Sequence, residues 1–166
     1  MPSFPPVTVR QPRPHDLVDD PVDVCGVGVG FEGRLGARIR DANGTQLVEK
    51  FFSAGGMGTW GNFHVALPLG AIPPTPQGTL EVWGTSGQEG VEAGKVTVPI
   101  VFGRALRDPY IGFLQHTVVA GDTLSALAQK YYGNASLWPR IHEANRDQIL
   151  NPNLIFVGQV LRVPQP

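Results

Sequence analysis

Four histidines, one cysteine and a scatter of carboxylates are the side chains in this sequence whose chemistry goes beyond packing. Cys25 stands alone, so the chain has no CxxC metal or redox pair and closes no internal disulfide. Asp16, Asp19, Asp20 and Asp23 gather enough charge to attract a hard cation such as calcium, but their spacing lacks the central glycine and closing glutamate of an EF-hand loop. A solvated loop accounts for them. His64 alternates with Phe63 and Val65 and so faces outward, with no second His, Cys or carboxylate at ligand spacing. His116 and His142 are too far apart in sequence to be read as a pair, and no Ser or Cys near them sits in a nucleophile motif. Cleavage of a glycosidic bond needs two placed acids, whereas beyond Gly103 the acids are only Asp108, Asp122, Glu143 and Asp147. Gly28-Val29-Gly30-Phe31-Glu32-Gly33 fits GxGxxG, yet it opens no helix and belongs to no βαβ unit, so the phosphate-cradling reading fails on context. No catalytic residue and no metal ligand is assigned, and the chain reads as non-enzymatic.

The elements that would have to position any site fall into two compositional halves. Of the 21 glycines 16, and of the 16 prolines 11, precede Gly103, while helical periodicity appears only after residue 120. Residues 1–102 hold 7 basic and 10 acidic side chains, and 103–166 hold 6 and 4. Arg140, Arg146 and Arg162 are scattered rather than gathered in a stripe, which argues against nucleic acid as a partner. Nowhere do 18 apolar residues run together, and MPSFPP has no basic segment followed by an apolar run. The expectation is no membrane insertion and, as written, a cytoplasmic location. A trimmed native N-terminus would instead place the chain in the cell envelope or outside the cell.

The first half predicts seven short strands, at Val7–Arg10, Val22–Val29, Gly33–Arg40, Gln46–Phe52, Asn62–Leu67, Leu80–Gly84 and Lys95–Phe102. Leu35, Ala37 and Ile39 alternate with arginines, and Phe63, Val65 and Leu67 alternate with polar neighbours, so each strand has one buried face. Asn43-Gly44 supplies the positive-φ residues of a tight hairpin. Pro99 donates no ladder bond, which predicts an edge or a bulge. Residues 103–115 break both periodicities, and the apolar Tyr110, Ile111, Phe113 and Leu114 predict a linker packed against the domains rather than a free tether.

In the second half, Asp122 or Thr123 can cap a helix whose Leu124, Leu127, Ala128 and Tyr131 form an apolar stripe ending at Gly133. Capping is the main role expected of Asp122. Asn134 starts a second helix, with Pro139 in its first turn and Leu137, Trp138, Ile141 and Ala144 on its apolar side. Tyr131 and Trp138, lying on these stripes, read as core. Val160-Leu161-Arg162-Val163 closes the unit as a strand.

Two resemblances organise these readings. Phe31-Glu32-Gly33, Arg38 to Gly44, Trp60-Gly61-Asn62-Phe63, Gly78 to Trp83 and Lys95 to Pro99 resemble the immunoglobulin-like domain of bacterial spore-germination-type proteins, over about 4–103. His116-Thr117-Val118-Val119, Gly121-Asp122-Thr123-Leu124-Ser125, Tyr131-Tyr132-Gly133, Ala144-Asn145, Pro152, Leu154-Ile155 and Val157 to Pro164 resemble a LysM domain, over 116–164. Together they imply an all-β immunoglobulin-like sandwich (4–103), a linker (104–115) and a small α+β module of βααβ order (116–164). The LysM resemblance implies binding of N-acetylglucosamine-containing glycan, peptidoglycan or a chitooligosaccharide, in a shallow groove between two loops. The residues carried over are Gly121, Asp122, Thr123, Leu124, Asn151, Asn153, Leu154 and Ile155. The sandwich would serve as spacer or as the surface for a protein partner. No cofactor is implied. The run from Tyr132 to Ile155 also resembles the LysM module of small cytoplasmic potassium-binding proteins, which makes a potassium ion, held by backbone carbonyls, the alternative ligand. A structural role in an assembly is the third reading.

Overall fold

The computed structural model describes residues 7–56, 58–86, 88 and 91–165. Residues 4–6 of the expected first domain lie outside this range. Eight strands build the first domain: β1 (Val7–Gln11), β2 (Asp16–Val18), β3 (Val22–Gly28), β4 (Arg34–Asp41), β5 (Gln46–Ser53), β6 (Gly61–Leu67), β7 (Gln77–Thr85) and β8 (Glu92–Phe102). They form a three-stranded sheet, β1-β3-β6, and a five-stranded sheet, β2-β8-β7-β4-β5. Alternation decides what lies between the sheets. Leu35, Ala37 and Ile39 of β4, Leu80 and Val82 of β7 and Ile100 of β8 meet Val22, Val24, Phe63, Val65 and Leu67 from the other sheet in one buried cluster. Each large aliphatic side chain sealed there contributes about 1.5–3 kcal/mol.

Two strand expectations change in the structure. β2 is absent from the sequence reading, because it has only three residues and pairs in parallel with Ile100–Phe102 of β8. It covers only Ile100–Phe102 of β8, so Pro99 falls just before the covered stretch, at the end of that strand's open edge as expected. The Asp41–Thr45 hairpin needs one positive-φ residue rather than two. Gly44 alone is left-handed, at φ +83, and the Asp41 carboxylate accepts the Asn43 and Thr45 N–H groups at 2.9 and 2.8 Å. The solvated-loop reading of the aspartates also dissolves into particular partners. Asp20 pairs with Arg104 at 2.9 Å, and Asp23 meets His64 Nε2 at 3.0 Å, so a carboxylate does stand beside that histidine, brought there by strand pairing.

The second domain comprises β9 (Gly112–Thr117), α2 (Leu124–Tyr132), α3 (Trp138–Glu143) and β10 (Val160–Gln165), with β9 and β10 paired antiparallel. A single 3-10 turn, Ala135–Leu137, joins the helices. Val118, Leu127, Ala128, Ile141, Ile149, Leu161 and Val163 close its core.

Between the domains lies a short helix, α1 (Gly103–Leu106). The expected linker of 104–115 is therefore divided: residues up to Leu106 are helical and those from Gly112 onward are already strand β9. Tyr110 is buried, but Ile111 is 77% exposed and Phe113 and Leu114 stay about 40% exposed, at 42% and 40%, so those three do not pack as expected. Phe113 and Leu114 lie on the β9–β10 ribbon and point to its opposite faces, while Ile111 precedes it. The domains meet elsewhere. Leu17, Val101, Leu106 and Ala144 form a small shared cluster, and the Gln77 amide donates to the Glu143 carbonyl and carboxylate at 2.9 and 3.0 Å. Arg162 Nη1 donates to the His15 carbonyl at 2.6 Å, and the Arg107 guanidinium lies over the Tyr132 ring at 5.2 Å.

Candidate functional site

The loop between β9 and α2 is built on a turn. The Asp122 N–H donates to the Val119 carbonyl at 3.1 Å, and Gly121 takes φ +90, which a side chain at that position would resist. Helix α2 is then capped by Thr123, whose Oγ1 accepts the Ala126 N–H at 3.1 Å. Asp122 is not the cap, contrary to the sequence reading. It sits one residue too early and folds back into the turn, where Oδ2 accepts the Val119 N–H at 2.9 Å and meets His116 Nε2 at 2.8 Å. These bonds, the backbone one first, hold the Asp122 carboxyl below its ordinary value.

The facing loop follows α3. Asn151 accepts the Asn153 N–H on its side chain and the Leu154 N–H on its carbonyl, both at 3.0 Å. Between the two loops runs an open groove of about 260 Å³. Asp122, Thr123, Leu124 and Ser125 line it from the first loop and helix, Pro152, Asn153 and Ile155 from the second, and Trp138 from α3. Five of the eight expected residues therefore meet: Asp122, Thr123, Leu124, Asn153 and Ile155. Gly121 and Asn151 shape the turns without lining the groove, and Leu154, 53% exposed, is not part of its lining.

Trp138 corrects the core reading. It is half-buried, with its ring 6.1 Å from that of His142, and part of it faces the groove. The helical stripe registered its apolar side but not that the stripe's edge meets a cleft. His116 is the other residue missed. It is the one buried residue of β9, and its Nδ1 lies 2.8 Å from Tyr131 Oη. The signal available was that His116 shares strand phase with buried Val118.

Asp122 is the single ionisable side chain lining the groove. Among the described residues no group of three or more His, Cys, Asp or Glu could hold a metal ion, and no helix is long and apolar enough to cross a membrane. A second concavity, of about 490 Å³, lies on the outer face of the five-stranded sheet. There Trp83 is only 3% exposed because Gly36 leaves room for its ring and Arg38 stacks on it at 4.7 Å. Arg38 in turn pairs with Glu49, Glu81 and Glu92.

The chain is thus a two-sheet β-sandwich joined to a βααβ unit that carries an open groove between two loops. Residues 6–91, just over half of the chain, match the family model described as the immunoglobulin-like domain of bacterial spore germination, and the chain belongs to that family. Residues 116–164 match the LysM domain. Potassium binding protein Kbp of Escherichia coli is 50% identical over 50 residues, 30% of this chain and 34% of that protein. An esterase of Mycobacterium tuberculosis is 59% identical over 49 residues, 30% of this chain and 10% of the esterase. An uncharacterised protein of Deinococcus radiodurans is 41% identical over 58 residues, 35% of this chain and 22% of that protein. The chain thus spans about a third or less of the length of these relatives.

Proposed function

We propose that this chain binds N-acetylglucosamine-containing glycan, peptidoglycan or a chitooligosaccharide, in the groove between the two loops, without cleaving it. One observation carries the reading: the groove sets the apolar Leu124, Ile155 and Trp138 beside the polar Asp122, Ser125 and Asn153. An N-acetylated sugar presents the matching surfaces, a methyl group and an apolar ring face next to hydroxyl and amide groups. In this reading the sandwich holds the module in a fixed orientation and offers its outer face to a protein partner. A groove this small buries few ligand atoms, so a polymer presenting many copies is the natural ligand. The test is co-sedimentation of the full chain with purified sacculi at low salt, alongside Trp138→Ala. The wild type should pellet, and the variant, stripped of the aromatic contact, should lose about tenfold or more in affinity. Wild-type protein left in the supernatant, or a variant that pellets equally, would refute the proposal.

The identity to potassium binding protein Kbp favours a second reading, in which backbone carbonyls hold potassium. Melting of the full chain in potassium and sodium chloride at equal ionic strength separates the two. A higher melting temperature in potassium supports ion binding, and equal temperatures count against it.

A further inference from the structure

The Asp122 carboxylate is held by two donors that converge on a single oxygen. Oδ2 takes both the Val119 N–H and His116 Nε2, while Oδ1 has no hydrogen bond among the described residues, although Asp122 lines the groove and its side chain is 18% exposed. An ionised carboxylate only accepts, so His116 Nε2 must carry the proton in this contact. In the neutral ring Nδ1 is then an acceptor, and the Tyr131 hydroxyl, 2.8 Å away, donates to it. With the ring neutral the bonds run in one direction, from Tyr131 in the last turn of α2, through His116 on β9, to Asp122 in the groove wall. The histidine is buried, which excludes water as a competing partner.

We propose that His116, with Tyr131 behind it, is a positioning residue that fixes the Asp122 carboxylate so that its free oxygen accepts a hydrogen bond from a donor on the bound glycan, an amide N–H or a hydroxyl. The proposal rests on the groove being the glycan site. Asp122 touches the ligand; His116 and Tyr131 act through it. Neither of them lines the groove.

The experiment is calorimetric titration of the full chain with the tetramer of N-acetylglucosamine. His116→Phe keeps a ring but removes the donor, and it should weaken binding about tenfold, the equivalent of about 1.4 kcal/mol. His116→Gln places an amide donor near the Nε2 position and should recover most of that loss, staying within about threefold of wild type. A purely structural role for His116 would lower the melting temperature in both variants and leave the affinity of the folded protein alone. Should His116→Phe fail to fold, Tyr131→Phe, which removes one hydroxyl, decides: weakened binding supports the chain of bonds, and wild-type affinity overturns it. Nitrogen NMR adds an independent readout. His116 should show a protonated Nε2 and a bare Nδ1 in wild type, a preference that Asp122→Asn should erode. The opposite tautomer in wild type would overturn the proposal. If wild type binds and Trp138→Ala does not, but His116→Phe binds like wild type, the positioning role fails while the groove stands. If wild type does not bind the tetramer at all, the groove reading fails and takes this role with it.

Discussion

Replacing Arg162 by methionine tests what fixes the two domains to each other. The stem of the side chain is retained, so the change removes mainly the guanidinium. Two interactions go with it: the bond from Nη1 to the His15 carbonyl at 2.6 Å, which crosses the domain interface, and the pair with Asp147 inside the second domain. A hydrogen bond from a charged donor contributes about 1.5–3 kcal/mol when its loss leaves a partly buried acceptor unpaired. Asp147 is 31% exposed, which puts its pair toward the low end of about 0–1 kcal/mol, and that pair acts mainly within one domain. The expected loss of coupling is about 1.5–3 kcal/mol, or roughly a 10- to 150-fold increase in the opened population. The Gln77 bonds to Glu143 and the cluster of Leu17, Val101, Leu106 and Ala144 remain, so both domains stay folded. Amide hydrogen exchange reads the opening directly. The His15 amide, which donates to the Pro99 carbonyl at 2.7 Å, and the Ala144 amide, which donates to Arg140 at 3.2 Å, are bonded within their own domains beside the interface; opening strips their cover without breaking those bonds, so they should exchange at least about fivefold faster, short of the full factor. Leu80, deep in the sandwich, should not change. Interface amides that exchange within about threefold of wild type in a folded variant would refute the reasoning and leave the coupling to the apolar cluster alone.

Three further outcomes are expected. Gly36→Ala would place a methyl group 2.4 Å from the Trp83 indole and force that ring off the sheet, costing about 1–3 kcal/mol in urea unfolding followed by tryptophan fluorescence; unchanged stability would show that the ring repacks freely. Ile141→Ala, at a fully buried position of the second core, should cost about 2–5 kcal/mol and lower the melting of the C-terminal module before that of the sandwich. Because the folded Asp122 carboxyl lies below its ordinary value of 3.8, its contribution to stability is complete above that value and is lost as the pH falls through the lower folded value. Asp122→Asn should therefore flatten the acid limb of the stability profile while leaving its slope near neutral pH unchanged, as measured by denaturant unfolding across pH.

Much of the architecture was legible because it is written in short-range patterns. Alternation in Leu35, Ala37 and Ile39, and in Phe63, Val65 and Leu67, commits those strands to one buried face whatever they pair with. The stripe of Leu124, Leu127 and Ala128, the cap at Thr123 and the stop at Gly133 define α2 within eleven residues. The two loops that face each other across the groove were supplied by the resemblance to the LysM domain, not by a local pattern.

The sequence by itself thus determined the division into two domains and the βααβ order of the second, while the loops of the groove rested on the LysM resemblance. Tertiary structure decided the rest. The strand Asp16–Val18 exists because β8 offers it an edge, and too few residues are involved for any pattern to appear. Trp138 belongs partly to the groove because the closing of the second loop over α3 sets where the core ends. Asp122 lost its capping role to Thr123 once His116 and the Val119 amide were brought to its carboxylate. The domains are joined by Arg162 and His15, 147 residues apart. Periodicity and capping report what a residue does within a turn or two of itself, whereas these partners meet only after the chain has closed on itself, and no local rule ties one to the other.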